Sequence, residues 1–190
     1  MQKKQIRIVA LFSAACFLIG IPQIINMQNI SPKEYMITTS NNFDYQLRYE
    51  CSGYASAYVL RSLGVKANGL EFYQKISNKN DDGSVSPETL CNFLKEEGYH
   101  AAVHHGTVNQ LKRKISKGVP VIVLIRTYVN QDSYHYIPLV GYDENNFYAA
   151  DSLRYLVNED EPYYNRRIDI EEFKKLWKTF ETNLSITINN

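Results

Sequence analysis

The sequence predicts an α+β fold, with helices in the first half of the domain and an antiparallel sheet in the second. Apolar residues of the first half recur at three- and four-residue steps, as they do on one face of a helix. After residue 118, short β-branched and aromatic runs replace that pattern. Residues 143–146 have the composition of a tight turn, so the runs on either side are expected to pair as an antiparallel hairpin.

The first 25 residues are predicted to lie outside this fold. Lys3, Lys4 and Arg7 precede a mostly apolar run at 8–25. A run of about 18 residues is near the lower limit for a spanning helix, and its basic end is expected in the cytoplasm. The segment is therefore interpreted as an uncleaved membrane anchor or a cleaved signal peptide. A lipid anchor at Cys16 is a weaker alternative, because apolar residues continue beyond it.

The rest of the chain is predicted to be a linker followed by one domain. Residues 26–42 are polar and have no periodicity, which is typical of a linker. Residues 43–190 are long enough to form a single domain with a hydrophobic core. The formal net charge is +1 and no basic run follows the leader, so nucleic acid is not expected as a partner. No glycine-rich phosphate loop is present, so no nucleotide is expected either.

Four helices are predicted in the first half of the domain. Each has apolar residues at helical spacing, and a glycine follows three of them as a stop signal. Serine or threonine before the third and fourth helices is a typical N-terminal cap. A short strand at 99–104 separates these two helices. The predicted helices are residues 51–63, 68–76, 86–97 and 107–117.

The second half of the domain is predicted to contain strands and one closing helix. Residues 119–126 form a continuous β-branched run, which indicates a buried strand. The hairpin strands are 136–142 and 147–151, and an alternating pattern at 184–188 predicts the last strand. A helix at 170–180 places Phe173 and Trp177 on its inward face.

Cys51 lies where the first predicted helix begins. Unpaired backbone N–H groups and the positive end of the helix dipole favour a thiolate there. Gln46, five residues upstream, is placed to donate its amide to a developing oxyanion. Two alternatives remain: Cys51 as a small buried apolar residue, or a disulfide with Cys91. The disulfide is disfavoured because Cys91 lies within another predicted helix, and two mid-domain helices rarely present the required separation.

His135 and Asp151 are expected at the same end of the sheet. His135 begins the first hairpin strand and Asp151 ends the second. An aspartate that accepts from one imidazole nitrogen fixes the ring and leaves the other nitrogen for a thiol proton. Taken singly, His135 can instead bond to backbone and Asp151 can cap a turn. With Cys51 and Gln46 they predict a cysteine nucleophile and its base, since all four lie at element ends.

The other three histidines do not predict a metal site. His100, His104 and His105 have no cysteine or carboxylate cluster at ligand spacing. Adjacent histidines of a strand also point to opposite faces of the sheet. No metal and no other cofactor is therefore predicted.

The order of these residues resembles the papain-like cysteine peptidases of family thirty-nine, the bacteriocin-processing, double-glycine type, in a stand-alone form. The resemblance covers roughly residues 44–177, and its most specific part is GVPVIVLIR followed by HYIPLVGYD. It implies a papain-like fold with N-terminal helices packed on a C-terminal antiparallel sheet. It also implies that Cys51 is the nucleophile, His135 the general base and Asp151 the orienting acid. Gln46 and the backbone N–H of Cys51 would form the oxyanion hole.

Three positions depart from the pattern of that family. Ser52 stands where a glycine usually follows the cysteine directly. Gln46 lies five residues before the cysteine, where the family usually has six. Ser152 stands where a proline commonly follows the aspartate.

The predicted function is an extracytoplasmic thiol peptidase that hydrolyses a peptide or protein substrate. The N-terminal segment would either anchor it in the membrane or direct its secretion. Two alternatives stay open: a peptide-binding module of the same fold without activity, and a thiol acyltransferase with identical residues. Leader peptidases act on the cytoplasmic side, so an extracytoplasmic location favours a different target.

Overall fold

The computed structural model describes residues 31–189, so the predicted anchor or signal segment lies outside the described residues. Within this range the chain forms helices and strands in the order that the sequence predicted, with two added strands. The helices are α1 (Cys51–Ser62), α2 (Gly69–Lys75), α3 (Pro87–Glu96), α4 (Val108–Ile115) and α5 (Ile170–Trp177). The strands are β1 (Tyr35–Met36), β2 (His100–His105), β3 (Val121–Arg126), β4 (Tyr134–Tyr142), β5 (Asn146–Ala149), β6 (Arg166–Asp169) and β7 (Leu184–Asn189).

The strands form one seven-stranded antiparallel sheet. Its order is β2-β7-β3-β4-β5-β6, and β1 pairs with β4 outside this path. The predicted hairpin is confirmed, since β4 and β5 pair antiparallel across the turn at 143–146. His135 lies near the start of β4, opposite Ile125 of β3. The hairpin therefore brings the beginning of β4 close to the residues that follow β5.

The sheet separates two apolar cores. Ile122 and Leu124 of β3 belong to the core covered by α1, α2 and α3. The alternate residues Val121, Val123 and Ile125 belong to the core covered by α4 and α5. Both faces of β3 are thus covered, which explains why its sequence is an unbroken apolar run. The α+β prediction is confirmed, with the refinement that helices cover both faces.

Residues 35–37 belong to the sheet, although the sequence assigned 26–42 to a linker. Tyr35 and Met36 pair with Tyr142 and Gly141, and Ile37 is buried in the second core. A strand of two residues is too short for a recognisable alternation. The folded domain therefore begins earlier than residue 43.

The edge strand β6 was also absent from the sequence prediction. Its residues alternate between buried Arg166 and Ile168 and exposed Arg167 and Asp169. Arginine is usually exposed, so the sequence gives no sign that Arg166 is buried while Arg167 is exposed. The alternation of buried and exposed residues that marks a strand is therefore difficult to recognise in the sequence of β6. β6 pairs with β5 and closes the sheet beside the residues that follow β5.

Two glycines allow α1 and α2 to cross closely. A Cβ atom at Gly53 would lie 2.3 Å from the carbonyl oxygen of Gly69, which no larger residue tolerates. A Cβ atom at Gly69 would lie 2.6 Å from the ring of Tyr54. This crossing fixes the first turn of α1, where Cys51 lies. Within residues 31–189, no helix has the length and apolar character needed to span a membrane.

Candidate active site

Helix α1 begins at Cys51, as predicted. The carbonyl oxygen of Glu50 accepts from the N–H groups of Gly53 and Tyr54, at 3.0 and 3.1 Å. The N–H groups of Cys51 and Ser52 have no acceptor within residues 31–189, as is usual in the first turn of a helix. Cys51 is a free cysteine and is partly exposed. The side chain is therefore accessible to solvent, and the unpaired N–H groups of the helix start lie beside it.

His135 links Cys51 to Asp151. Its Nε2 lies 2.8 Å from Oδ1 of Asp151, and the two side chains are 1% and 0% exposed. The Cys51 side chain lies close enough to the imidazole to raise the pKa of His135. Since Asp151 occupies Nε2, Nδ1 is the nitrogen left for the thiol. The structure therefore brings these three predicted residues together, in the order thiol, imidazole and carboxylate.

The pKa of His135 is raised to about 9. Burial alone would lower it, but the charge of Asp151, its hydrogen bond and the neighbouring Cys51 outweigh the burial. Burial alone would raise the pKa of Asp151, but the charge and hydrogen bond of His135 and the charge of Arg166 hold it below its usual range. At neutral pH His135 is therefore an imidazolium, so the residue beside Cys51 carries a positive charge.

Asp151 is fixed by groups that the sequence did not single out. Nη1 of Arg166 donates to its Oδ2 at 2.7 Å, and the backbone N–H of Leu153 donates to Oδ1 at 2.8 Å. Arg166 is 6% exposed, so this is a buried charge pair. With His135 on one oxygen and Arg166 on the other, the carboxylate has one orientation.

Asn165 holds the backbone of the same aspartate. Its Oδ1 accepts from the N–H of Asp151 at 2.7 Å, and its Nδ2 donates to the carbonyl of Asp151 at 2.8 Å. Asn165 is 3% exposed and directly precedes β6. The only sequence signal for these two residues is the alternation Arg166, Ile168, Ile170, which marks β6 as a strand.

Gln46 is held by the residue that follows Asp151. The hydroxyl of Ser152 donates to Oε1 of Gln46 at 2.6 Å, and the N–H of Gln46 donates to the carbonyl of Ser152 at 3.0 Å. The Nε2 group donates to the carbonyl of Arg48 at 2.6 Å. One of its two N–H bonds thus remains for another acceptor. Within the described residues no hydrogen bond joins Gln46 to Cys51.

Ser52 points into the protein. It is 1% exposed, and its hydroxyl has no hydrogen-bond partner among residues 31–189. A buried hydroxyl without a partner costs about 1–3 kcal/mol. The glycine that the family usually has directly after the cysteine has no hydroxyl and would carry no such cost. In this chain the glycine comes one residue later, and Gly53 makes the close approach to α2.

Exposed apolar side chains border the site. Leu47 and Tyr49, in the loop before Cys51, are 87% and 56% exposed. Tyr155, in the short 3-10 turn after Asp151, is 64% exposed. Partial burial raises the pKa of Tyr155, and the neighbouring Tyr128 and the charge of Asp151 raise it further. The loop before Cys51 and the turn after Asp151 therefore both present apolar side chains to solvent.

A model of the peptidase C39-like family matches residues 28–184 of this chain. That range contains all four residues that the sequence predicted for the site. A search of the curated proteins finds no significant match.

The fold is similar to several solved peptidase domains. One is the peptidase domain of Streptococcus ComA, a bi-functional ABC transporter of a quorum-sensing pathway. It has 16% identity and a TM-score of 0.61, and the match covers 76% of this chain and 95% of that one. A C39-like peptidase from Bacillus anthracis has 15% identity and a TM-score of 0.63, over 84% and 98% of the two chains.

A third solved structure contains a bound peptide. It is a double glycine motif protease from an AMS/PCAT transporter in complex with the leader peptide. It has 15% identity and a TM-score of 0.52, over 83% of this chain and 92% of that one. At such low identities the structural similarity shows a shared fold alone, whereas the family model matches most of the sequence. The predicted resemblance is confirmed, and the chain belongs to the peptidase C39-like family.

Proposed function

We propose that this protein is a thiol peptidase whose nucleophile is Cys51. The observation that carries the proposal is the position of His135, whose Nε2 lies 2.8 Å from Oδ1 of the buried Asp151 and whose imidazole neighbours the partly exposed Cys51. A peptide is the proposed substrate, because family relatives are peptidases and exposed apolar side chains flank the thiol.

The Cys51 thiolate attacks the carbonyl carbon of the scissile peptide bond. A C–S bond forms, and the carbonyl oxygen becomes an oxyanion that the N–H of Cys51 and the remaining N–H of Gln46 receive. His135, protonated at Nδ1, gives its proton to the leaving amine as the C–N bond breaks. An acyl-enzyme thioester remains on Cys51.

Hydrolysis of the thioester completes the cycle. Neutral His135 takes a proton from a water molecule, whose oxygen attacks the acyl carbon and releases the thiolate. Asp151 keeps the imidazole oriented throughout, and Arg166 keeps Asp151 charged. An amine in place of water would give acyl transfer with the same residues, so analysis of the products of a peptide library distinguishes the two reactions.

The proposed location is extracytoplasmic, at the membrane or secreted. Lys3, Lys4 and Arg7 precede the apolar run 8–25, and this order favours a basic end in the cytoplasm. The substrate would then be an extracytoplasmic peptide or protein. This differs from the leader peptide that the transporter-linked neighbour binds.

The test is thiol alkylation of the full chain with iodoacetamide at pH 7, followed by peptide mapping. Cys51 is expected to react at least tenfold faster than Cys91, because burial raises the pKa of the Cys91 thiol. His135→Ala should remove most of that advantage and lower kcat/KM on a cleaved peptide by about a thousandfold or more. His100→Ala, on exposed surface, is the matched control. Equal reactivity of Cys51 and Cys91, unchanged by His135→Ala, would contradict the proposal.

A further inference from the structure

A basic surface lies on the side of the sheet that α4 and α5 cover. A depression of about 610 Å³ is lined by His104, His105, Lys114 and Lys117, among others. A second depression of about 520 Å³ adjoins it, and both are lined by Thr107 and Trp177. Neither lining contains an aspartate or a glutamate. We name this surface the basic face, defined by Arg113, Lys114, Lys117, Lys174 and Lys178.

The charges of the basic face repel one another. Burial and the neighbouring Lys117 lower the pKa of Lys114, and burial and Lys114 lower the pKa of His104. Neither Lys114 nor Lys117 forms an ion pair with any residue in the range 31–189. Lys174 of the same face pairs with Glu171, so the repulsion centres on Lys114 and Lys117. An anion bound beside these two lysines would relieve it.

The basic face is also exceptional for this domain. Three of the 21 basic residues precede residue 31, so 18 remain against 20 acidic residues. The domain is therefore slightly acidic, yet the linings of the two depressions contain five lysine and arginine side chains and no acidic one. These two depressions are therefore locally basic in a domain whose net charge is slightly negative.

The chain enters the domain at this same surface. Pro32 lines the larger depression, and the apolar run predicted to be a membrane anchor ends at residue 25. Seven residues, 26–32, extend at most about 25 Å. If the run is held in a membrane, the basic face lies within reach of the lipid headgroups. Cys51 belongs to α1, which packs on the opposite face of the sheet.

We propose that the basic face binds anionic phospholipid headgroups of the membrane that holds the N-terminal segment. Lysine side chains beside an anionic bilayer each gain favourable interaction with it, and several act together. Bound in this way, the domain turns the Cys51 side towards the aqueous phase, where a peptide substrate is reached by diffusion. The proposal rests on the membrane-anchor hypothesis and is independent of the peptidase chemistry.

Lysine footprinting of the full chain tests it. The protein is reconstituted in nanodiscs of phosphatidylcholine, or of phosphatidylcholine and phosphatidylglycerol in equal parts, and labelled with sulfosuccinimidyl acetate. Labelling of Lys114 and Lys117 should slow by about fivefold or more in the anionic discs and recover in 1 M salt. Lys66, between Val65 and Ala67, and Lys95, in α3, are exposed and belong to segments that pack on the other face of the sheet, so they serve as internal controls with unchanged rates.

Charge-reversal variants make the test specific. Lys114→Glu/Lys117→Glu should abolish the slower labelling of Lys178 in anionic discs, whereas Lys66→Glu/Lys95→Glu should preserve it. Equal labelling of Lys114 in both types of disc would overturn the proposal, and so would a chain that fails to enter neutral discs. Equal protection by inorganic phosphate in neutral discs would also overturn it, in favour of a free-anion site. Alkylation of Cys51 is measured in the same samples, so a failure of the proposed function is seen separately.

Discussion

The candidate site has two halves that are built differently. The base half consists of His135, Asp151, Asn165 and Arg166, which are all at most 6% exposed and held by the bonds described above. The thiol half consists of Cys51, Ser52 and Gln46, together with Ser152. Its central residues Cys51 and Gln46 are partly exposed.

The departures from the family pattern all fall in the thiol half. The shortened spacing of Gln46 is accompanied by Ser152, whose hydroxyl holds the Gln46 amide where the family commonly has proline. In the base half, His135 and Asp151 match the family pattern. The difference suggests that the base is fixed by burial and charge, whereas the thiol half depends on hydrogen bonds between two loops. The following predictions test that difference.

The largest effect on stability is expected from Arg166→Leu. It leaves the buried carboxylate of Asp151 without its cation, and breaking a buried pair from one side costs about 3–5 kcal/mol. Arg167→Leu is the matched control, because Arg167 is exposed and pairs with Glu159 at 2.9 Å on the surface. Its loss should cost less than about 1 kcal/mol. Urea unfolding of both variants measures the free energies. Similar values for the two would mean that the base half does not depend on the buried charge.

The pH dependence of stability is expected to show the raised pKa of His135. Its folded pKa is about 9, above an unfolded value of about 6.5. The contribution of His135 is therefore fully present below pH 6.5 and is lost as the pH rises towards 9. Linkage gives a loss of about 3 kcal/mol over that window. Urea unfolding at pH 6.5 and 9.5 measures it, and His135→Gln should remove most of the difference. A wild-type free energy that is constant over the window would contradict the assigned imidazolium.

Ser152→Ala should affect catalysis without affecting the thiol. The variant leaves Oε1 of Gln46 without its donor, so the remaining Gln46 N–H is less well placed for the oxyanion. We expect kcat to fall about tenfold with KM unchanged, less than the loss of a whole oxyanion donor. The alkylation rate of Cys51 should stay the same, and Ser152→Thr should restore kcat because it keeps the hydroxyl.

A double-mutant cycle distinguishes this positioning from a general loss of structure. If Ser152 acts through Gln46, Ser152→Ala should have almost no further effect in a Gln46→Ala background. Additive losses in kcat, or a slower alkylation of Cys51 in Ser152→Ala, would assign Ser152 to the stability of the Asp151 loop instead.

The parts that the sequence predicted correctly are those fixed by local pattern. Cys51 starts α1 because apolar spacing and a following glycine define that helix, and the turn at 143–146 brings His135 and Asp151 together. Asn165 and Arg166 were not predicted, because their burial depends on the pairing of β6 with β5. The partner of Gln46 was also not predicted, since Ser152 lies 106 residues away and reaches it only in the folded chain.

The smallest expected effect concerns Ser52, and here two serines of one helix should respond in opposite directions. Ser52→Ala removes a buried hydroxyl that has no partner, so the free energy of unfolding should rise by about 1 kcal/mol. Ser56→Ala is the matched control, because Ser56 is 0% exposed and its hydroxyl donates to the carbonyl of Ser52 at 2.8 Å. Its loss should lower the free energy of unfolding by about 1 kcal/mol.

The activity of the same two variants shows whether the Ser52 hydroxyl contributes to catalysis. A Ser52→Ala protein that is more stable and equally active would mean that the hydroxyl is only a cost in this position. A protein that is more stable but slower, with Ser56→Ala unchanged in rate, would mean that the unpaired hydroxyl serves the chemistry of Cys51 beside it. A Ser52→Ala protein that is less stable would show that the hydroxyl has a partner in solution. The thiol half would then be as fully bonded as the base half, and the difference between them would lie only in exposure.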